Sequence, residues 1–99
     1  MKFSLNMTII LSKEFKQLVL NQVYFIYKDK PRAALKFRKD LIFNLKKDLI
    51  NPFSFQKSKY YQDENIRDYV FKGYTSVYKI DSENNIVTVF GFIKYKESL

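Results

Sequence analysis

The chain contains no cysteine, no histidine and no tryptophan. Without cysteine there is no disulfide and no thiolate metal site, as suits a reducing cytoplasm. Without histidine the commonest general base and the commonest metal ligand are missing. Any catalysis would therefore run on Lys, Arg, Tyr, Asp or Glu, and no metal or cofactor is expected. No apolar run approaches the ~20 residues that a membrane span requires. The start, MKFSLNMTIIL, is interrupted by Ser4 and Asn6 and lacks a small-residue cleavage site, so it does not read as a signal peptide. Met7 stands where the first strand begins and is an alternative start to Met1. These absences make a cytoplasmic location the expectation. Only two glycines and two prolines occur, so each marks a particular turn or break.

What the chain does have is apolar mass and positive charge. Hydrophobic residues make up 46%, with ten Phe and eight Tyr among 99 residues, which argues against disorder. That length predicts one domain, residues 1–99, burying roughly 65% of the unfolded chain's surface. The net charge is +8 and unevenly spread. Residues 1–61 hold 13 Lys/Arg against 4 Asp/Glu, whereas residues 62–99 hold 5 against 6. Such a surface attracts phosphate or an acidic protein with little discrimination, and a merely solvated lysine-rich face is the plainer explanation.

Met7–Leu11 is short, apolar and β-branched, a predicted strand. Ser12 is placed to cap a helix over Lys13–Tyr27, with Glu14 in its first turn and an apolar stripe of Phe15, Leu18, Val19, Gln22, Val23 and Ile26. Asp29 or Lys30 would cap a second helix, with Pro31 in its first turn. Ala34, Phe37, Leu41, Leu45 and Leu49 form its stripe to about Ile50, and Asn51-Pro52 ends it. The short joint implies an antiparallel helical hairpin. Residues 52–64 lack a period. Their Lys57, Lys59, Tyr60 and Tyr61 interleave cations with rings, which suits phosphate and stacked bases, or equally a loop covering one end of the core.

Asn65–Ile80 reads as two strands joined at Lys72-Gly73, the glycine supplying positive φ. This register sets Phe71 opposite Tyr74, Tyr69 opposite Ser76 and Arg67 opposite Tyr78, all on one aromatic face that would pack on the helices. Ile66, Asp68, Val70, Thr75, Val77 and Lys79 share the other face. After a polar turn at residues 81–85, Ile86–Ile93 reads as a central strand, with Gly91 marking a bulge or a close backbone approach. The order is β-α-α-β-β-β, an α+β fold with an antiparallel sheet packed on the helical hairpin.

The motif R-x-x-x-x-x-G-Y-x-x-x-Y, from Arg67 through Gly73 and Tyr74 to Tyr78, resembles the central hairpin of the RelE/ParE superfamily of toxins from type II toxin–antitoxin pairs. The A-x-x-F at Ala34–Phe37, the leucine-to-proline helix end at Leu49–Pro52 and the hydrophobic last strand with its basic tail fit the same layout. The resemblance implies a growth-inhibiting toxin silenced by a cognate antitoxin in a hetero-oligomer. RelE-like members cut mRNA on the ribosome, and ParE-like members inhibit DNA gyrase. RelE-like nucleases typically carry arginine after the tyrosine that follows the turn glycine, where it can stabilise phosphate charge. Here that residue is Thr75.

In place of the nucleases' usual tail of His or Arg with Tyr stand Lys94, Tyr95 and Lys96. Nuclease chemistry would fall to Asp68, Lys94, Tyr95 and Lys96. Lysine is a poor general acid or base at neutral pH. The resemblance is therefore nearer to ParE, a non-enzymatic toxin. A ribosome-dependent endonuclease and a non-toxic basic binding protein are the alternatives. Lys57, Lys59, Lys72, Lys94 and Lys96 are the candidates for contact with the target or with phosphate. Arg67, Gly73, Tyr74 and Tyr78 are structural or functional. Arg67 is expected to be structural first, stacking on a ring and bonding carbonyls or carboxylates. The antitoxin is expected to be acidic, folding onto this surface as a helix, an added strand, or both.

Overall fold

In the computed structural model, which describes residues 7–94, the chain runs β1 (Thr8–Leu11), α1 (Lys13–Tyr27), α2 (Pro31–Asp48), β2 (Ile66–Phe71), β3 (Tyr74–Asp81) and β4 (Ile86–Lys94). Ser12 caps α1, its Oγ accepting the Phe15 amide at 3.0 Å. The buried stripe of α1 is Phe15, Val19 and Val23, with Ile26 packed beside it. Leu18, expected in that stripe, is 42% exposed. With 100° per residue, the row 15–19–23 faces the core and position 18 falls at its margin.

The second helix keeps its whole expected stripe: Ala34, Phe37, Leu41, Leu45 and Leu49 are all buried. Its N-cap is Lys30, without a side-chain cap. The missing cap costs less because Pro31 at the first helical position has no amide to satisfy. The helix stops at Asp48, and Pro52 is buried at the head of a single 3₁₀ turn, Pro52–Ser54.

The sheet is mixed, in the order β1-β4-β3-β2. Strands β2, β3 and β4 are antiparallel as expected, whereas β1 lies parallel to β4. The reason lies in the segment joining α2 to β2, which doubles back along the outer edge of β2. Lys57 bridges Arg67 in antiparallel sense, the Ser58 amide donates to the Ile66 carbonyl at 2.8 Å, and the Asp68 amide donates to the Gln56 carbonyl at 3.1 Å. That extra reversal leaves β2, and hence β4, pointing the way β1 points.

The hairpin register is the expected one, Arg67↔Tyr78, Tyr69↔Ser76 and Phe71↔Tyr74. Its aromatic face turns to the helices: Tyr69 and Tyr78 join the core cluster, and Phe71 and Tyr74 pack against it. Tyr74 stacks on Phe92 with ring centroids 5.1 Å apart, and Phe92 meets Phe15 edge-on at 5.8 Å. The register between β3 and β4 slips between Val77 and Tyr78, which leaves Phe90 as the extra residue of a bulge next to Gly91. A Cβ on Gly91 would come within 3.2 Å of the Val77 Cβ, so the close approach expected there is present as well.

Candidate functional site

The resemblance draws attention to the hairpin and its surroundings. Arg67 is half-buried, and two of its three nitrogens are tied to backbone: its Nε donates to the Glu64 carbonyl at 3.1 Å, and its Nη1 donates to the Phe55 carbonyl at 2.8 Å and the Phe53 carbonyl at 3.4 Å. Its guanidinium lies 5.3 Å from the centre of the Phe53 ring, the ring it stacks on. One cation thus gathers three carbonyls of the α2–β2 segment. The Tyr78 hydroxyl donates to the Pro52 carbonyl at 2.6 Å, and burial pushes its phenol up from the ordinary value. The Tyr69 hydroxyl donates to Asp48 Oδ2 at 2.5 Å. Burial and that carboxylate both raise the Tyr69 phenol, while the Tyr69 hydrogen bond and then the one from Lys47 hold the Asp48 carboxyl below its ordinary value. Sequence reading missed Asp48, because nothing local to it announces a partner 21 residues away. Tyr74 is held among rings, its phenol also raised by burial.

The opposite face of the sheet, away from the helices, is where a substrate or target could reach the strands. Asp68 lies there, buried; its Oδ2 accepts the Lys59 amide at 3.0 Å, and its Oδ1 has no hydrogen-bond partner. Around it Phe55, Lys59, Tyr60, Val70 and Thr75 line an open hollow of about 590 Å³. Phe55 packs edge-on against Tyr69 at 5.2 Å, and Tyr61 against Phe90 at 5.6 Å, so part of the aromatic loop does cover the sheet. Tyr60 is half exposed.

The remaining candidates do not converge on Asp68. Lys94 pairs with Tyr74, a helix-facing residue, and its Nζ sits 5.9 Å from the Phe25 ring of α1. Directly opposed residues share a face, so Lys94 and Asp68 lie on opposite sides of the sheet. Lys57 Nζ is 4.0 Å from Glu64 Oε2, both side chains being exposed on the segment that covers the β2 edge. Lys72 lies at the hairpin tip, its Nζ 5.5 Å from the Phe71 ring, and is close enough to Asp40 on α2 to help Lys36 hold that carboxyl low. Tyr95 and Lys96 lie outside the described residues. Among the described residues no group of three carboxylates could hold a metal ion, and no helix is long and apolar enough to cross a membrane.

The family described as the ParE toxin of type II toxin–antitoxin systems, parDE, matches residues 9–98. The chain belongs to the ParE toxin family. Its fold is similar to that of a chain in the toxin–antitoxin complex RelBE2 from Mycobacterium tuberculosis, with a TM-score of 0.56 and 12% identity over 91% of this chain and 99% of that one. At that identity the likeness is one of fold. No curated protein matches the chain. The ParE-family toxin thus carries the RelE/ParE layout that its hairpin implied.

Proposed function

We propose that this type II toxin inhibits growth in the ParE-like way, by binding DNA gyrase, and not by cutting RNA. The observation that carries this reading is the separation of Asp68 from Lys94 across the sheet. General acid–base cleavage needs its groups within hydrogen-bond reach of one phosphodiester, directly or through one water. Two further features support it. Thr75 occupies the position at which RelE-like nucleases typically carry a phosphate-stabilising arginine, and Arg67 directs its Nε and Nη1 to three backbone carbonyls. The cognate antitoxin is an acidic protein that binds the basic part of this surface.

Purified protein added to a gyrase supercoiling reaction tests the target. Loss of supercoiling at stoichiometric toxin, with mRNA on translating ribosomes left intact, is the expected result. Codon-positioned mRNA cuts with gyrase unaffected would instead make the protein a ribosome-dependent endonuclease. Growth that continues normally on expression of the chain would favour a basic binding protein without toxicity.

A further inference from the structure

On the outer side of the sheet one acidic group is buried without a counter-charge. Asp68 is 8% exposed, its Oδ2 accepts the Lys59 amide, and its Oδ1 is buried with no hydrogen-bond partner. Lys59 offers it an amide and not an ammonium, and Asp68 forms no ion pair among the described residues. A buried carboxylate with one oxygen unpaired lowers stability, and a donor arriving from outside would relieve that cost.

Asp68 stands at the floor of the open hollow that Phe55, Tyr60, Val70 and Thr75 help to wall. Tyr60 is half exposed and Val70 more so, which leaves a ring and an aliphatic surface free at the rim. The backbone adds acceptors. The Asp68 amide turns to the returning segment, donating to the Gln56 carbonyl, so by alternation the carbonyls of Asp68 and Val70 turn the same way. That segment donates to the Ile66 carbonyl through Ser58 but to neither of these two. One carboxylate oxygen, two carbonyls without a backbone partner and the Thr75 hydroxyl therefore gather among apolar walls.

We propose that this hollow receives one arginine side chain of the toxin's target protein, the guanidinium bonding Asp68 Oδ1 and the stem lying along Val70 and Tyr60. That the target is a protein rests on the gyrase reading; the chemistry of the hollow does not. A guanidinium is planar, weakly hydrated and rich in donors, so it bonds a carboxylate and carbonyls together while a ring lies against its face. A lysine ammonium is more strongly hydrated and has no flat face to stack. Phosphate is repelled by Asp68. A metal ion would meet a single carboxylate, since no group of three possible ligands occurs among the described residues. Lys59 is the one cation in the lining, and its long stem lets the ammonium stay in water. Residues 62–99, which supply the strands here, hold 5 Lys/Arg against 6 Asp/Glu, so the local field does not turn a cation away.

Titration of the purified chain with N-acetyl-arginine amide, followed by amide NMR, tests the hollow with no target present. Saturable shifts centred on Lys59, Asp68 and Val70 are expected in the millimolar range, with N-acetyl-lysine amide binding several-fold more weakly. Asp68→Asn keeps the size of the side chain and an acceptor for the Lys59 amide, so it should melt close to wild type while arginine-amide affinity falls about tenfold or more. Tyr60→Ala, at an exposed ring, should weaken it about threefold and decides the matter if Asp68→Asn does not fold. Both variants should weaken inhibition of gyrase supercoiling in the same order. Absence of shifts at Lys59 and Val70, equal affinity for the lysine amide, or unchanged affinity in the variants would each overturn the proposal. Preference of the hollow for guanosine or cytidine monophosphate would overturn it too, by making it a nucleobase site. Arginine-amide binding by a chain that leaves gyrase untouched would keep the arginine site and sink the gyrase reading, whereas full gyrase inhibition by folded Asp68→Asn would remove the hollow from target binding.

Discussion

On the helix-facing side of β2 and β3, Tyr69 and Tyr78 are buried and each hydroxyl is tied to the end of α2 or the turn that follows it. On the outer side, Val70 is 66% exposed and Thr75 borders an open hollow. The same two strands thus build the core with one set of residues and present a surface with the other. Stability should be concentrated in the first set and target recognition in the second. Where this division is blurred is equally informative: Asp68, Ile66 and Val77 belong to the outer set by parity yet are buried.

The largest expected effect breaks the inner face. Tyr78 is fully buried, and Tyr78→Ala should lower unfolding free energy by about 3–5 kcal/mol. Tyr78→Phe, which keeps the ring but orphans the Pro52 carbonyl, should cost about 1–3 kcal/mol. Val70→Ala on the outer face should stay within about 0.5 kcal/mol. Denaturant melts of the three variants check the order, and an equal loss in Val70→Ala would erase the contrast.

Arg67 comes next. Removing its side chain leaves three carbonyls without their cation, and Arg67→Ala should cost about 2 kcal/mol and loosen residues 53–57 along the β2 edge. Faster amide exchange at Ser58 and Asp68 is the local readout. A variant that keeps wild-type stability but has lost growth inhibition would move Arg67 from scaffold to target contact.

Much of the inner face is legible in the sequence because its determinants are local. The Lys72-Gly73 turn fixes the β2–β3 register, and the spacing of Ala34 to Leu49 fixes the buried side of α2. Contacts set by distant chain are not legible in this way. The parallel seat of β1 depends on the path of residues 52–65. The burial of Asp68 depends on the Lys59 amide, which arrives from the same segment. Lys94 shows how one residue can mislead. Counting by twos from the core residues Val87 and Val89 puts position 94 outside, but the extra residue at Phe90 restores Phe92 and Lys94 to the helix side. The Asp48–Tyr69 link was invisible for the same reason of distance.

That link has a pH signature of intermediate size. The Asp48 carboxyl is held below its ordinary value near 3.8, so the fold favours the ionised form. Its contribution is complete above the ordinary value and fades as pH falls through the lower folded value. The Tyr69 phenol is raised above 10.0, so its contribution is complete below 10 and fades as pH climbs through the higher folded value. Tyr69→Phe should therefore cost about 1.5 kcal/mol across neutral pH, the usual scale for a hydrogen bond to a charged group. The gap between wild type and variant should narrow in acid below about pH 4 and in alkali above about pH 10. A gap that stays constant across both limbs would show that packing, and not the charged bond, is what Tyr69 contributes.

The smallest effects concern the turn on which the division of faces depends, since a slip of one residue would exchange the two sets. Lys72 and Gly73 both have positive φ, 50° and 82°, the backbone of a type I′ turn. Only the glycine was expected to be so. Gly73 has open space where a Cβ would stand, so a substitution there meets strain and no clash. Gly73→Val should cost about 1 kcal/mol or slightly more, because a β-branched residue resists φ > 0. Lys72 is the reverse case, a strained residue already in place, and asparagine tolerates its conformation better. Lys72→Asn should raise stability by about 0.5 kcal/mol with the outer face unaltered. Thermal melts read both changes, and cross-strand contacts between Arg67 and Tyr78 report whether the register holds. A Gly73→Val variant that melts with wild type would mean the register is set elsewhere, by the Tyr78 and Tyr69 anchors, leaving the turn to follow them.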